Sequence, residues 1–171
     1  MAEHLHTLTV LVENKPGVLT RVAGLFARRA FNIKSLTVGE TEKSGISRMT
    51  IIVDAQDQPL EQVIKQLNKL VNVLKVVELP EDESVERRML LLKVRADDET
   101  RTAVLQIVDL FRAHVIHVAP ATVIIESVGT RGKLEALLES LEPYGVKEIV
   151  QSGAVALSRS PRSLTDQIKE Q

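Results

Sequence analysis

The chain has no cysteine, no tryptophan and a single tyrosine, Tyr144. Without cysteine there is no disulfide, no thiolate zinc site and no cysteine nucleophile. With aromatics at only 2% of residues, the core has to be built from Val, Leu, Ile and Ala. A strand platform that stacks RNA bases on aromatic rings lacks its rings. Charge of one sign is missing too, since a formal net charge of −1 leaves no electrostatic footprint for nucleic acid or an anionic membrane. No apolar run approaches the ~20 residues of a membrane-spanning helix. Met1-Ala2-Glu3-His4 does not open a basic region followed by an apolar run, so no secretory signal is read there. A soluble, cytoplasmic protein is the expectation.

Catalytic constellations are also lacking. There is no Gly-x-Ser-x-Gly, no Gly-rich phosphate loop ending in Lys-Ser/Thr and no zincin helix. The histidines form two pairs, His4 with His6 and His114 with His117. The first pair would share a strand face, yet a two-histidine metal site needs further ligands and none stands out. Solvent-exposed strand ends account for both pairs. The acidic run Asp97-Asp98-Glu99 sits where negative charge favours a helix start. No catalytic residue, no metal ligand and no cofactor of its own are therefore expected of this chain.

What is present is ordinary globular composition, 44% hydrophobic and 26% charged over 171 residues, enough for one medium domain or two small ones. Residues 4–13 alternate as a strand, with Leu8, Val10 and Val12 on one face and Thr7, Thr9 and Leu11 on the other. Asn14-Lys15-Pro16-Gly17 ends it, because Pro lacks a donor and Gly frees the backbone. Val18, Val22, Leu25 and Phe26 then follow helical spacing over residues 18–30. Strands over 32–39 and 46–54 flank a polar hairpin turn at 41–45. A helix over 58–71 carries Leu60, Val63, Ile64, Leu67 and Val71, and a strand over 73–79 closes the unit. The order βαββαβ is a ferredoxin-like split βαβ unit, an α+β fold.

The acidic stretch 81–86 reads as a linker, after which the plan repeats more loosely. Residues 89–95 form a strand, 98–112 a helix with Val104, Ile107, Val108 and Phe111, and 114–118 and 123–128 two strands. A helix over 133–141 and a last strand or strand pair over 146–157, interrupted at Gly153, complete a second unit over 87–159. Residues 160–171 are polar, contain Pro161 and read as a frayed or weakly helical tail. A four-stranded sheet with both helices on one face leaves its other face and its edges open. That face carries Leu11 and Ile52 among Thr and Arg in the first unit, so dimerisation, or docking of one unit on another, is expected.

The informative segment is Glu13-Asn14-Lys15-Pro16-Gly17-Val18-Leu19, which joins the first strand to the first helix. Free backbone N–H groups and the positive end of the helix dipole suit a carboxylate there. Gly17 permits close approach, and the Asn14 amide can pair with an ammonium or a carboxylate. A free amino acid needs both contacts plus a small apolar pocket. An ordinary strand–helix turn, with Asn as cap and Gly for geometry, explains the same residues, and the residues alone leave both readings open.

The segment and its continuation, Arg21-Val22-Ala23-Gly24-Leu25-Phe26-Ala27-Arg28-Arg29, resemble the ACT domain of acetolactate synthase small subunits. So do Phe31-Asn32-Ile33-Lys34-Ser35-Leu36-Thr37-Val38-Gly39, Ser47-Arg48-Met49-Thr50-Ile51 and the run from Gln66 to Val73. Asn-x-Pro-Gly alone is common to ACT domains; the joint set is specific to this family. Lys93-Val94, Phe111-Arg112-Ala113 and the stretches 130–133 and 153–159 are similar to the family's C-terminal domain, with departures at His117 and Gln151.

The resemblance implies a non-catalytic regulatory subunit of branched-chain amino-acid biosynthesis. Its catalytic partner uses thiamine diphosphate, Mg²⁺ and FAD, and the small subunit activates it and confers inhibition by valine, with leucine or isoleucine in its place in some members. The resemblance further implies an ACT domain over 1–80 that pairs with a second copy into one eight-stranded sheet, with effector sites at the interface. By motif position Asn14, Gly17, Val18, Asn32 and Ile33 would contact the effector. A stand-alone ACT-type amino-acid sensor or transcriptional regulator is the rival, and no helix-turn-helix or basic patch speaks for it.

Overall fold

The computed structural model describes residues 4–55 and 59–168. In chain order these form β1 (Leu5–Glu13), α1 (Val18–Arg28), β2 (Asn32–Glu40), β3 (Ile46–Asp54), α2 (Leu60–Lys69) and β4 (Val73–Glu78). There follow β5 (Ser84–Arg95), α3 (Arg101–Leu110), β6 (His114–Val118), β7 (Thr122–Gly129), α4 (Arg131–Leu141), β8 (Val146–Gln151) and β9 (Val155–Ser158). The chain divides into two compact units, Met1–Val85 with Ala154–Gln171, and Glu86–Gly153.

The first sheet has the order β2-β3-β1-β4 and the second β6-β7-β5-β8, with β9 pairing β5 off this path. Both are antiparallel βαββαβ units, as the periodicities require. In the first, Val22, Phe26, Val63 and Leu67 pack on Leu8, Val10, Met49 and Ile51, so α1 and α2 cover one face. In the second, Val104, Val108, Leu134 and Leu137 pack on Leu90, Leu92, Val123 and Ile125. Phe26 is fully buried and meets Phe31 edge-on at 6.4 Å. Burying a side chain of that size contributes about 1.5–3 kcal/mol.

The repeat extends to its irregularities. Pairing of β2 with β3 slips between Ile33 and Ser35, and pairing of β6 with β7 slips between Val115 and His117. Pairing of β1 with β4 slips at Leu11/Val12, and pairing of β5 with β8 slips at Lys93/Val94. Both first helices also end on a left-handed residue that is not glycine, Ala30 at φ 57° and Arg112 at φ 53°. The next N–H reaches back in each case, Phe31 to the Phe26 carbonyl at 3.0 Å and Ala113 to the Val108 carbonyl at 2.9 Å. This closure satisfies a helix-end carbonyl and normally takes glycine. Left-handed backbone costs an L-residue about 1–2 kcal/mol, whereas a new glycine loses about 0.4–1 kcal/mol through the unfolded chain. Ala30 is exposed, so no packing is lost, and Ala30→Gly is expected to stabilise by about 0.5–1 kcal/mol. A thermal melt that does not rise contradicts this.

Some expectations change. Helix α2 stops at Lys69, because Leu70 turns extended at ψ 129°, and Val71, assigned to its apolar stripe, is 89% exposed. Its expected first residue, Gln58, lies outside the described residues. Helix α3 starts at Arg101, not 98, because Asp97 accepts from the Glu99 and Thr100 N–H groups and holds them in a turn. Strand β5 begins at Ser84, inside the stretch read as linker, after a single 3-10 turn at Glu81–Glu83. The outer face of the first sheet, expected to be bare, is covered within the single chain: Leu11 is 1% and Ile52 2% exposed. The expected fray after residue 160 contains a 3-10 turn, Thr165–Gln167, with Thr165 buried.

Candidate functional site

The β1–α1 junction is anchored from both sides. Where β1 ends, the Glu13 N–H donates to the Asn72 carbonyl at 2.9 Å. The Glu13 carboxylate accepts from Lys15 Nζ at 2.9 Å and from Asn72 Nδ2 at 2.8 Å. These two donors, Lys15 first, hold its carboxyl below the usual range. Asn72 Oδ1 in turn accepts from Arg21 Nη1 of α1 at 2.6 Å. Asn72 thus ties strand end to helix. Nothing in its local pattern flags that role, since its partners lie 59 and 51 residues away.

Asn14 is held by the β2–β3 hairpin. Its N–H donates to the Gly45 carbonyl at 2.9 Å, and Nδ2 donates to Glu40 Oε1 at 3.1 Å. It does not cap α1, as the turn-only reading had it. The residue at the cap position is Gly17, at φ 82° and ψ −8°, and no side chain caps the helix. No acidic residue stands in its first turn. A Cβ on Gly17 would meet nothing within 4 Å, so glycine is there for its backbone angle and not for want of room. The helix thus presents backbone N–H groups and its positive dipole end with no carboxylate of its own against them.

The matching junction in the second unit is filled. Asp97 Oδ1 accepts from the N–H groups of Glu99 and Thr100 and from Thr100 Oγ1, each at 3.1 Å. Arg95 grips Oδ2 through Nε at 2.8 Å and Nη2 at 2.6 Å. Arg95, then Thr100, keep the Asp97 carboxyl below its ordinary value. In the second repeat a carboxylate closes the turn before the helix, and in the first no side chain takes that part, although α1 and α3 themselves both start without a side-chain cap.

The five residues singled out from the sequence do not meet within one chain. Asn14 lies beside the Glu40 end of β2, with Gly17 three residues further along the chain, and Asn32 lies at the other end of the strand opposite Asp54. A nine-residue strand separates its ends by roughly 26 Å. The Val18 side chain is buried in the core, and Ile33 is half-buried against the same core. β2 is an edge of its sheet, and its core-side residues Leu36 and Val38 remain 36% and 44% exposed.

Among the described residues, no cluster of three or more His, Asp or Glu is arranged to hold a metal ion. His6 Nδ1 lies 2.6 Å from Glu78 Oε1 in an exposed pair. Among the same residues no helix is long and apolar enough to cross a membrane.

Two βαββαβ units, one carrying an uncapped Asn-x-Pro-Gly turn, define an ACT-type regulatory protein. Residues 8–75 match the model of the AHAS small subunit-like ACT domain, and residues 87–160 that of the small subunit of acetolactate synthase. An acetolactate synthase small subunit from Mycobacterium bovis is 58% identical over 164 residues, covering 96% of this chain and 98% of its own. One from Mycolicibacterium smegmatis is 59% identical over 159 residues, covering 93% and 94%. The crystal structure of the acetolactate synthase small subunit from Thermotoga maritima superposes with a TM-score of 0.83 at 45% identity, covering 93% of this chain and 99% of that one. The chain belongs to the acetolactate synthase small-subunit family. Its role is that of a non-catalytic regulatory small subunit in branched-chain amino-acid biosynthesis.

Proposed function

We propose that two copies of this chain bind a branched-chain amino acid, valine or a close homologue, between their first units. Docked on the catalytic subunit of acetolactate synthase in the cytoplasm, the dimer activates that enzyme and makes it subject to feedback inhibition. Thiamine diphosphate, Mg²⁺ and FAD belong to the catalytic subunit. The observation that carries the reading is the uncapped start of α1 at Gly17, at a strand–helix junction that holds no counterpart of the Asp97 carboxylate in the turn before α3. The effector carboxylate takes the α1 N–H groups, and Asn14 and Glu40 stand beside it for the ammonium.

The separation of Asn14 and Gly17 from Asn32 and Ile33 fits a site shared between copies. If β2 pairs antiparallel with β2 of a second copy about Leu36, the Asn32 end of one strand lies beside the Glu40 end of the other. Asn32 and Ile33 of the second copy then close the pocket over Gly17 and Val18, with Ile33 as its apolar wall. The edge strand gains a partner, and exposed Leu36 and Val38 are covered. On this reading the first unit carries effector binding and dimerisation, and the second, Glu86–Gly153, is the C-terminal regulatory domain.

The test mixes purified chain with the catalytic subunit and titrates valine, leucine and isoleucine separately. Acetolactate formation is expected to rise on mixing, and at least one of the three to reverse that rise. An unchanged rate on mixing, or no inhibition by any of them, overturns the reading.

A further inference from the structure

After Gly153 the chain returns to the first unit. The Ala154 N–H donates to Ser35 Oγ on β2 at 2.8 Å, and the Arg159 N–H to the Glu83 carbonyl at 2.8 Å. The segment then reaches the β2–β3 turn. Thr165 is 3% exposed, although the sequence around it is polar. Its hydroxyl donates to the Glu42 carboxylate, and Ser163 Oγ lies 2.6 Å from the same hydroxyl. The Thr165 carbonyl accepts from Lys43 Nζ at 3.1 Å, and Asp166 pairs with that ammonium at 2.9 Å. Two consecutive turn residues, Glu42 and Lys43, are therefore both held by the end of the chain. The Thr165 hydroxyl is also the main cause that keeps the Glu42 carboxyl below its usual range.

The same turn holds the Asn14 loop from its other side, through Glu40 and the Gly45 carbonyl. The turn between them is short and internally braced. Thr41 Oγ1 donates to the Ile46 carbonyl at 2.9 Å, and Gly45 closes the turn at φ 78°. A displacement imposed at Glu42 and Lys43 is passed to Glu40 and Gly45, because there is no slack between them. Coupling of this kind needs such a contiguous element.

We propose that residues 163–166 are a strap that fixes the β2–β3 turn against Asn14 and thereby sets the affinity of the effector loop. The strap touches no effector and acts only as a positioning element. It rests on the effector reading above, and its test separates the two.

Valine binding to the full chain is measured by calorimetry, and valine inhibition in the complex with the catalytic subunit. The wild type is compared with Thr165→Val/Asp166→Ala. The double variant is expected to bind valine about fivefold more weakly, the low end of coupling between sites. Its activation of the catalytic subunit without valine should stay as in the wild type. Swapping the ion pair, Lys43→Glu with Asp166→Lys, should restore most of the affinity that Lys43→Glu alone loses. Rescue of that kind does not follow from general loosening, and it decides the matter even if the double variant melts early. Wild-type affinity in a folded double variant, or a swap no better than Lys43→Glu alone, overturns the strap. A wild-type chain that binds none of the three branched-chain amino acids overturns the effector reading instead.

Discussion

Gly17→Asp is expected to abolish valine inhibition while most of the activation survives, at a measurable cost in stability. Two effects act together. The left-handed backbone at φ 82° costs Asp at most the ~1–2 kcal/mol of an L-residue there, since Asp is among the side chains that tolerate this region best. Because the added Cβ meets nothing within 4 Å, there is no clash on top of that. The second effect is electrostatic. A carboxylate set where the ligand carboxylate is proposed to lie repels it by about 4 kcal/mol at ~4 Å and an effective dielectric of ~20, nearly three decades in affinity. The side chain can also take backbone N–H groups for itself, as Asp97 does in the turn before α3.

Gly17→Ala isolates the backbone effect, since it carries the strain without the charge. It is expected to lose about 1–2 kcal/mol and to remain inhibited within about tenfold of the wild-type valine concentration. Melting curves and inhibition titrations on both variants decide between the effects. A folded Gly17→Asp protein inhibited at the wild-type concentration means that the carboxylate does not bind at this loop.

Leu36→Asp is expected to convert a dimer into monomers and to remove valine binding in the same step. Leu36 is the middle residue of β2 and 36% exposed, so the single unit loses little core when it changes. Antiparallel pairing about this residue brings the two new carboxylates to within ~5 Å, where they repel by about 3 kcal/mol at an effective dielectric of ~20. Lost apolar cover of the edge adds to this, so the dimer dissociation constant should rise by more than two decades. Sedimentation and calorimetry on one sample check both parts. A variant that stays dimeric places the interface elsewhere, and a monomer that still binds valine places the whole site within one copy.

The legibility of the fold followed the range of the forces involved. Period-two and period-3.6 patterns act over a few residues, so β1, β3 and α1 were read with their correct apolar faces. The polar stretch 41–45 was read as a hairpin turn for the same reason. Ends that depend on a specific side-chain bond were read less well. The shortened start of α3 comes from the Asp97 carboxylate holding two N–H groups, a choice that a run of three acidic residues does not announce. Val71 fits the spacing of α2, but the helix ends before it.

Of the proposed site, Gly17 was the most legible residue, because a Pro-Gly pair between a strand and a helix has few conformations open to it. Asn14 was legible as a polar group in the right place, but its partner was not. Glu40 lies 26 residues on, and only the antiparallel pairing of β1 with β3 and β3 with β2 brings the two together. Asn72 was legible only as part of a family-like stretch, and its links to Glu13 and Arg21 follow from where β4 enters the sheet.

The amino-acid order by itself determined the two βαββαβ units, the composition of their cores and the break between strand and helix at Pro16-Gly17. Each of these is written in local spacing and residue type. Tertiary structure alone decided that the outer face of the first sheet is covered within the chain, that residues 163–166 reach Glu42 and Lys43, and that Asn14 and Asn32 stand at opposite ends of one edge strand. Those outcomes depend on contacts between residues far apart in the chain, which are selected by the packing of whole elements and leave no periodic trace in the sequence.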